Sequence, residues 1–530
     1  MRISTTQIYE STTANYQRNY SNVIKTGEEV SSGIKLNTAS DDPVGAARVL
    51  QLTQQNAMLT QYESNIATIS TNVDNSETAM SNITDTMQSA REAIVRAGNG
   101  TYTDASRIAI ANELKQYQSQ LLGLMNSQDS NGQYIFSGSK SSTPAYTESA
   151  DGTYVYNGDQ TSMNLSVGDG LVLASNTTGY EAFELSINST RTSATRLSPA
   201  TEDGKVVLSG GLVTSTSVYN SAYQGGEPYT LTFSSSTQFR ITDGTGKDVT
   251  TDASSAGNYT SGGIGAQTLT FRGVEMNLNV NLSAAEKATT ATADAAMTNR
   301  SYSLASTPDN VNATRSPGNA SSATVSSSAV GTSAADLTAY NNTFPTGGAI
   351  LRFTSATDYE LYASPITGSS TPVSSGTMAG GNAKASGVNF AINGTPAAGD
   401  QFVVQSGTRQ TENVLNTLTA AIKALSTPAD GDLVATQKLN ASMTSALGNL
   451  SSSIEQVSTA KAAGGARQLA AMAQGTTNDL LKGNNTVEQG SYVNADIIEA
   501  TTRLTLQKTM LDASQQVFVQ LSKLNLFSQL

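Results

Sequence analysis

Three short segments of this 530-residue chain carry side chains whose types and spacing could do chemistry. Asp41-Asp42 sets two carboxylates side by side, the raw material of acid–base work or of a metal site. Asp430-Gly431-Asp432 has the outline of a calcium loop, and Gly262-Gly263-Ile264-Gly265 that of a phosphate-binding turn. Each falls short. No third ligand stands near Asp41 and Asp42. The Asp430 segment lacks the spaced acids and closing Glu of a calcium loop, and no Lys-Ser/Thr follows the glycine run. Asp41 and Asp42 read instead as helix cap and hinge in front of Pro43. Asp430 to Asp432 reads as a turn capping a helix that starts at Leu433. The chain has no His and no Cys, which removes the imidazole base, the Ser–His and Cys–His pairs, the thiolate nucleophile, the zinc knuckle and the disulfide. A glycosidase working with carboxylates alone is the enzyme class left open. The reading is of a protein that is not an enzyme, with no cofactor and no metal.

Charge narrows the partners. With 30 Lys and Arg against 42 Asp and Glu, the net charge is −12, and no basic cluster occurs. A duplex-binding protein needs such a face to displace phosphate counterions, and so does a protein that binds an anionic membrane. The expectation is no nucleic acid and no membrane. The first twenty residues are polar throughout and lack the apolar core of a signal peptide. That pattern fits a cytoplasmic protein and, equally, a substrate of an export channel that reads no cleaved signal. Absent cysteines suit a chain that stays unfolded in transit and then survives outside the cell.

The elements that must position any functional surface are helical at both ends. All eleven prolines lie from Pro43 to Pro428, and none falls in 44–143 or 429–530. Proline is excluded from helix interiors by about 3 kcal/mol, so these two stretches can hold long helices. From Leu59 a 3–4 spacing runs through Tyr62, Ile66, Ile69, Val73, Ser76, Met80, Ile83, Met87, Ala90, Ile94 and Ala97. This is a sustained heptad seam. It begins near Pro43 and stops at Gly98-Asn99-Gly100. A return helix follows from about Thr103 with Ile110, Leu114, Tyr117, Leu121 and Leu124. A third long helix carries Leu433, Met443, Leu447, Leu450, Ile454 and Val457. These seams are narrow, so the helices are expected to pack as a bundle joining the two ends of the chain.

The extreme termini differ. Tyr9, Tyr16, Val23 and Val30 recur every seven residues, as do Ile497, Leu504, Leu511 and Phe518, with Leu521 and Leu524 added. Each set is one narrow stripe on an otherwise polar helix, with little to hold it folded alone. Two readings stay open: an intramolecular hairpin of the termini, or stripes that pair with each other and then with neighbouring subunits. Burying four to six apolar residues is worth on the order of 1.5–3 kcal/mol each. Ordering the backbone costs roughly 1–2 kcal/mol per residue. The ends of a free monomer are therefore expected to fray until neighbours add contacts.

Between the helical arms the sequence reads as β. Gln133–Ser137, Thr153–Tyr156 and Gly170–Ala174 are short alternating runs near Asn-Gly and Asp-Gly turns. From about 185 to 405 an internal repeat appears. Residues 231–241 (LTFSSSTQFRI) align without gaps to 351–361 (LRFTSATDYEL), an offset of 120. Ala194-Thr-Arg196 and Ala313-Thr-Arg315 repeat at 119, and Gly273-Val274 and Gly387-Val388 at 114. The fold class is thus α+β and multidomain: a long helical rod bundle built from both ends, with inserted, repeated β-rich outer domains. The expected domains are 1–42 with 485–530 for terminal assembly, 43–184 with 406–484 for the rod and its hairpins, 185–295, and 296–405.

Residues 32–43 (SGIKLNTASDDP) resemble the flagellin-superfamily motif at the joint between terminal and rod helices. The opening MRISTTQIY, the Asp-Asp-Pro variant, Gly132–Gly138 (GQYIFSG) and the closing Leu524-Asn-Leu-Phe527 are similar to the hook-associated branch of that superfamily. True flagellins usually open with an Ile-Asn-Thr-Asn segment and carry Ala after the paired aspartates, and this chain departs from them there. The resemblance spans about 1–180 and 405–530. It implies terminal helices lining a tube, rods around them and β domains outside. It also implies export through the flagellar type III apparatus to the extracellular flagellum and a homo-oligomeric ring. The implied partners are a neighbouring hook-associated protein, flagellin, and an export chaperone on the C-terminal helix. The function it implies is joining hook to filament. The alternatives are a filament-forming flagellin and, in another class, a secreted adhesin or glycan-binding protein acting through its outer domains.

Overall fold

The computed structural model describes residues 5–523 apart from 101, 150–151, 262–264, 308–309, 332, 345–347 and 408–410. Its helices are α1 (Thr5–Ser32), α2 (Pro43–Ala97), α3 (Asp104–Met125), α4 (Thr216–Val218), α5 (Thr290–Met297), α6 (Ala334–Thr343), α7 (Val414–Ser426), α8 (Leu433–Val493) and α9 (Ile497–Lys523). Packing divides the chain into two compact units. One is drawn from Met1–Val73, Asn164–Ser175 and Gly465–Leu530, the other from Asp74–Met163 and Asn176–Gly464. The expected terminal domain ended at 42 and resumed at 485. The first unit is larger because α2 and α8 pair along their outer halves, through Arg48 to Glu488 and Lys482 to Glu63.

In the first unit, β3 (Asn164–Gly168) and β4 (Leu171–Ala174) follow two short strands of the other unit, β1 (Tyr146–Glu148) and β2 (Tyr154–Tyr156). The β3–β4 hairpin turns at Asp169-Gly170, and Gly170 has φ +72°, a conformation side chains disfavour. Val167 packs with Ile69, Val73 and Ala471 into a small core.

In the second unit, the heptad seam of α2 closes against α3, α7 and α8. Met80, Ile83, Met87, Ala90, Ile94 and Ala97 are buried with Leu114, Leu121, Met443, Leu450 and Val457. The sequence marked no helix corresponding to α7. Asn413 caps it by accepting the Asn416 N–H (3.0 Å), and Pro428 with Gly431 (φ +77°) separates it from α8. Val414, Leu415, Leu418, Ala421 and Leu425 put its apolar face into the bundle core. Asp432 then caps α8, accepting the N–H groups of Val434 (2.9 Å) and Ala435 (3.0 Å). Asp430 acts elsewhere. Together with Asp104 it receives the buried Arg107 guanidinium, which ties the start of α3 to the α7–α8 turn. Gln133–Ser137 is not a strand. Phe136 plugs the bundle core with Ile135 packed beside it while the backbone around them turns.

The insert holds two β domains of similar strand order, the first split into two sheets and the second a single continuous sheet with one strand more at its edge. The first contains β5 (Thr192–Ser198), β6 (Val206–Leu208), β7 (Leu212–Val213), β8 (Tyr229–Phe233), β9 (Phe239–Thr242), β10 (Gln267–Phe271), β11 (Val274–Val280) and β12 (Ser301–Ser306). They form the sheets β5-β12-β8-β9 and β10-β11-β6, with β7 also on β11. The second contains β13 (Asn310–Arg315), β14 (Thr324–Val330), β15 (Ala349–Phe353), β16 (Asp358–Ala363), β17 (Ser374–Thr377), β18 (Asn382–Ala385), β19 (Val388–Asn393) and β20 (Gln401–Gly407), in the order β17-β16-β15-β20-β13-β14-β19-β18. The repeated segments occupy equivalent places. Leu231 faces Ile241 and Phe233 faces Phe239 in one hairpin; Leu351 faces Leu361 and Phe353 faces Tyr359 in the other. All these side chains are buried. The β10–β11 turn has Arg272 at φ +45° and Gly273 at +82°, and the β18–β19 turn repeats this with Ser386 at +45° and Gly387 at +77°. β12 pairs with both β5 and β8, so residues 301–306 complete the first sheet, beyond the expected boundary at 295.

Candidate assembly interface

The Ser32–Pro43 motif builds the joint from which the terminal helices spring. Gly33 (φ +72°) ends α1, and the chain then pairs with the linker between α8 and α9: Lys35 N–H donates to Val493 O, and Ala495 N–H to Gly33 O, both at 2.9 Å. Lys35 Nζ adds a bond to Ser491 O (2.9 Å). Asp41 accepts from Lys25 Nζ (2.5 Å) and from Thr38 N–H (2.9 Å). The Lys25 ammonium is the main reason its carboxyl is held down at about 2. Asp42 Oδ1 accepts the Gly45 N–H (2.9 Å), capping α2, whose first residue is Pro43. A side chain at position 45 would collide with the Asp42 carboxylate, which is why the third helical residue is glycine.

Beyond the joint, α1 and α9 lie antiparallel against one another. The Phe518 ring centre is 5.6 Å from that of Tyr9 and 6.1 Å from that of Tyr16. Asn19 Nδ2 donates to Ser514 Oγ (2.6 Å), and Arg503 pairs with Glu29 (2.5 Å). Of the stripe residues, Leu511 is buried, while Tyr16, Val23, Val30, Leu504 and Phe518 are half-buried. Tyr9 and Ile497 remain exposed at 40% and 46%. The side chain of Leu521 and the whole of Leu524 lie outside the described residues.

Sequence reading missed the second seam of this hairpin. At the alternate heptad positions stand Thr12, Asn19 and Thr26 on α1, and Ala500, Gln507 and Ser514 on α9. Thr26 and Ala500 are buried. The carboxamide oxygen of Gln507 is also buried, with no hydrogen-bond partner among the described residues. A coiled-coil seam apolar at one position and polar or small at the other is weak. The seven-residue spacing was visible, but polar residues at the second position give no hydrophobic signal.

Filling the seam leaves other apolar side chains in solvent. On α9 Ile498 is 81% exposed, Leu506 57%, Met510 52% and Val517 50%, and on α1 Tyr20 and Ile24 are exposed too. The α9 set lies on the far side from Leu504 and Leu511. Among the described residues no cluster of acidic side chains is placed to hold a metal, and no helix is long and apolar enough to cross a membrane.

Residues 3–141 match the family model of the bacterial flagellin N-terminal helical region. Over these residues the chain is flagellin-like. Over 183 residues it is 33% identical to flagellar hook-associated protein 3 of Salmonella typhimurium, covering 34% of this chain and 57% of that protein. Over 184 residues it is 32% identical to the protein of the same name in Escherichia coli, covering 35% and 57%. The chain thus spans little more than half the length of these relatives. A flagellin of Clostridium tyrobutyricum is 29% identical over 197 residues, covering 37% of this chain and 51% of the flagellin. Among solved structures, the flagellar hook associated protein-3 of Legionella pneumophila covers 90% of this chain and 100% of its own, at 18% identity and a TM-score of 0.46.

Proposed function

We propose that this flagellin-like chain is a structural subunit of the bacterial flagellum at the junction of hook and filament, and that it acts by assembly rather than catalysis. The observation that carries the reading is the weakly seamed α1–α9 hairpin with apolar residues on its outer side. Contiguous exposed apolar surface marks an interaction site, and the occupant proposed is the same hairpin of a second copy in a homo-oligomeric ring. Tyr9 and Ile497 join Leu506, Met510 and Val517 in that contact, while Val23, Leu504 and Leu511 hold the hairpin together. Asp41, Asp42 and Pro43 set the angle at which the hairpin leaves the rod. A neighbouring hook-associated protein and flagellin then stack on the two faces of the ring, and an export chaperone covers the C-terminal helix beforehand. The identity to proteins named flagellar hook-associated protein 3 supports the junction in preference to the filament itself.

The test is to mix purified full-length protein with short filament seeds and follow sedimentation and electron micrographs. Monomer, or a thin terminal layer on the seeds, supports the junction. Long filaments grown from this protein alone make it a flagellin.

A further inference from the structure

Ala500, Gln507 and Ser514 follow one another at heptad spacing along α9 and form its half of the second seam. Two of these positions are settled. Ala500 is small and buried, and Ser514 accepts a bond from Asn19 Nδ2 across the seam (2.6 Å). Gln507 is the exception. It stands between Leu504 and Leu511, and its carboxamide oxygen is shut off from solvent with no donor among the described residues. A methionine of similar length would fill the same position and strand no acceptor. The hairpin therefore carries a fault near its middle. On the joint side of it Arg503 holds Glu29 (2.5 Å), and towards the tip Phe518 meets Tyr9 and Tyr16.

A buried acceptor left unmet shifts an equilibrium against the form that buries it, by roughly tenfold for a neutral amide. Here that form is the closed hairpin. Fraying returns the oxygen to water, so the whole penalty falls on closure. The outward residues Leu506, Met510 and Val517 make one apolar side only while α9 is helical and seated on α1. Closure is thus the step that presents the assembly face, and Gln507 limits how often it is presented.

We propose that Gln507 makes assembly depend on a template: by holding down the closed fraction of free subunits, it suppresses their association with each other more than their addition to a layer already formed. This rests on the reading of the hairpin's outward side as the subunit contact. Two free subunits meet productively only when both are closed, so their association follows the square of the closed fraction. A template already presents closed hairpins and needs closure of the incoming subunit alone. Where the open form predominates, a tenfold rise in closure raises unseeded association roughly hundredfold and addition to a template roughly tenfold.

The experiment compares the full-length wild type with Gln507→Met, which keeps the length of the side chain and removes the acceptor. Limited proteolysis of dilute monomer reads closure, and light scattering reads association with and without filament seeds. Gln507→Met should slow cleavage of the terminal helices roughly tenfold, and its unseeded association should rise by roughly the square of that factor. Gln507→Glu, which places a charge in the seam, should move both the other way. Unchanged cleavage in Gln507→Met overturns the proposal, and so does slower cleavage with unseeded association still at the wild-type rate. Adding Leu506→Gln and Met510→Gln to Gln507→Met tests the underlying reading separately. If this triple variant keeps the slow cleavage and loses the association, the outward side is the contact and the proposal stands with it. If it still associates at the raised rate, closure governs association as proposed, and the assignment of the contact to the outward side fails.

Discussion

Asn449 shows how much one side chain can fix in this molecule. Its carboxamide serves the Ser189 backbone and hydroxyl, and its NH₂ reaches Asn188 Oδ1 and Thr190 Oγ1, each at 3.2 Å. Asn449→Ala strands the buried Ser189 donors. It should cost about 2–3 kcal/mol in urea unfolding, whereas Ser451→Ala on the exposed side of the same helix should cost almost nothing. A second residue sets a pH response. Burial in the first β domain pushes the Glu227 carboxyl up, against the Ser306 N–H that it accepts at 2.6 Å. The folded domain therefore holds this proton more tightly than the unfolded chain, and stability falls as pH rises from the ordinary Glu value through the raised one. Glu227→Gln keeps the acceptor and removes the titration. Thermal melts should show the variant more stable than wild type at neutral pH, with the gap closing below about pH 4.

At the scale of elements, the repeated β domains allow a paired test. Gly273 and Gly387 occupy the same turn with the same positive φ. A Cβ on Gly273 would sit 2.8 Å from Ser215 O, and one on Gly387 would collide with Asp336 O. At compatible backbone an Ala-for-Gly exchange stabilises by up to ~1 kcal/mol, but at these positive φ angles Gly273→Ala and Gly387→Ala should each destabilise their own domain by more than that amount. Hydrogen exchange should show the loss confined to the domain that carries the change. These turns, the facing hairpins and the α2 seam were legible because each puts an apolar or glycine signal at a fixed step, 2 for strands and 3–4 for helices. The start of α8 at Leu433 was legible from the Asp430–Asp432 turn, but α7 went unmarked, because its 13 residues between the Asn413 cap and Pro428 are too few for a sustained heptad seam. Gln133–Ser137 imitates a strand because five residues do not distinguish one from a turning segment that seats Phe136 and Ile135 against the core. The candidate interface was half legible. The stripe marked the helices that meet, while the polar seam and the outward residues needed the fold to tell inside from outside.

At the scale of the whole molecule, the two faces of the terminal hairpin should separate folding from assembly. Leu511 fills the seam between α1 and α9, whereas Leu506 and Met510 are more than half exposed on the far side. Leu511→Ala should shift the already weakly held hairpin of the monomer further toward fraying, lowering helicity in circular dichroism and speeding proteolysis of the termini relative to wild type, because the seam beside Thr26, Ala500 and Gln507 has little else to hold it. Leu506→Gln with Met510→Gln should leave the monomer spectrum unchanged. Each outward side chain regains part of the ~1.5–3 kcal/mol of full burial only when a neighbour covers it. Losing both should therefore weaken assembly by about 2 kcal/mol per subunit, raising the protein concentration needed for ordered layers on seeds roughly thirtyfold. Sedimentation against concentration measures this directly. An outward double variant that layers like wild type would place the subunit contact elsewhere on the first unit, on the exposed α8 row of Leu469, Met472, Leu480 and Val487. An outward variant that loses monomer helicity would mean that these residues hold the hairpin together, and the proposed division between a folding face and an assembly face would fail.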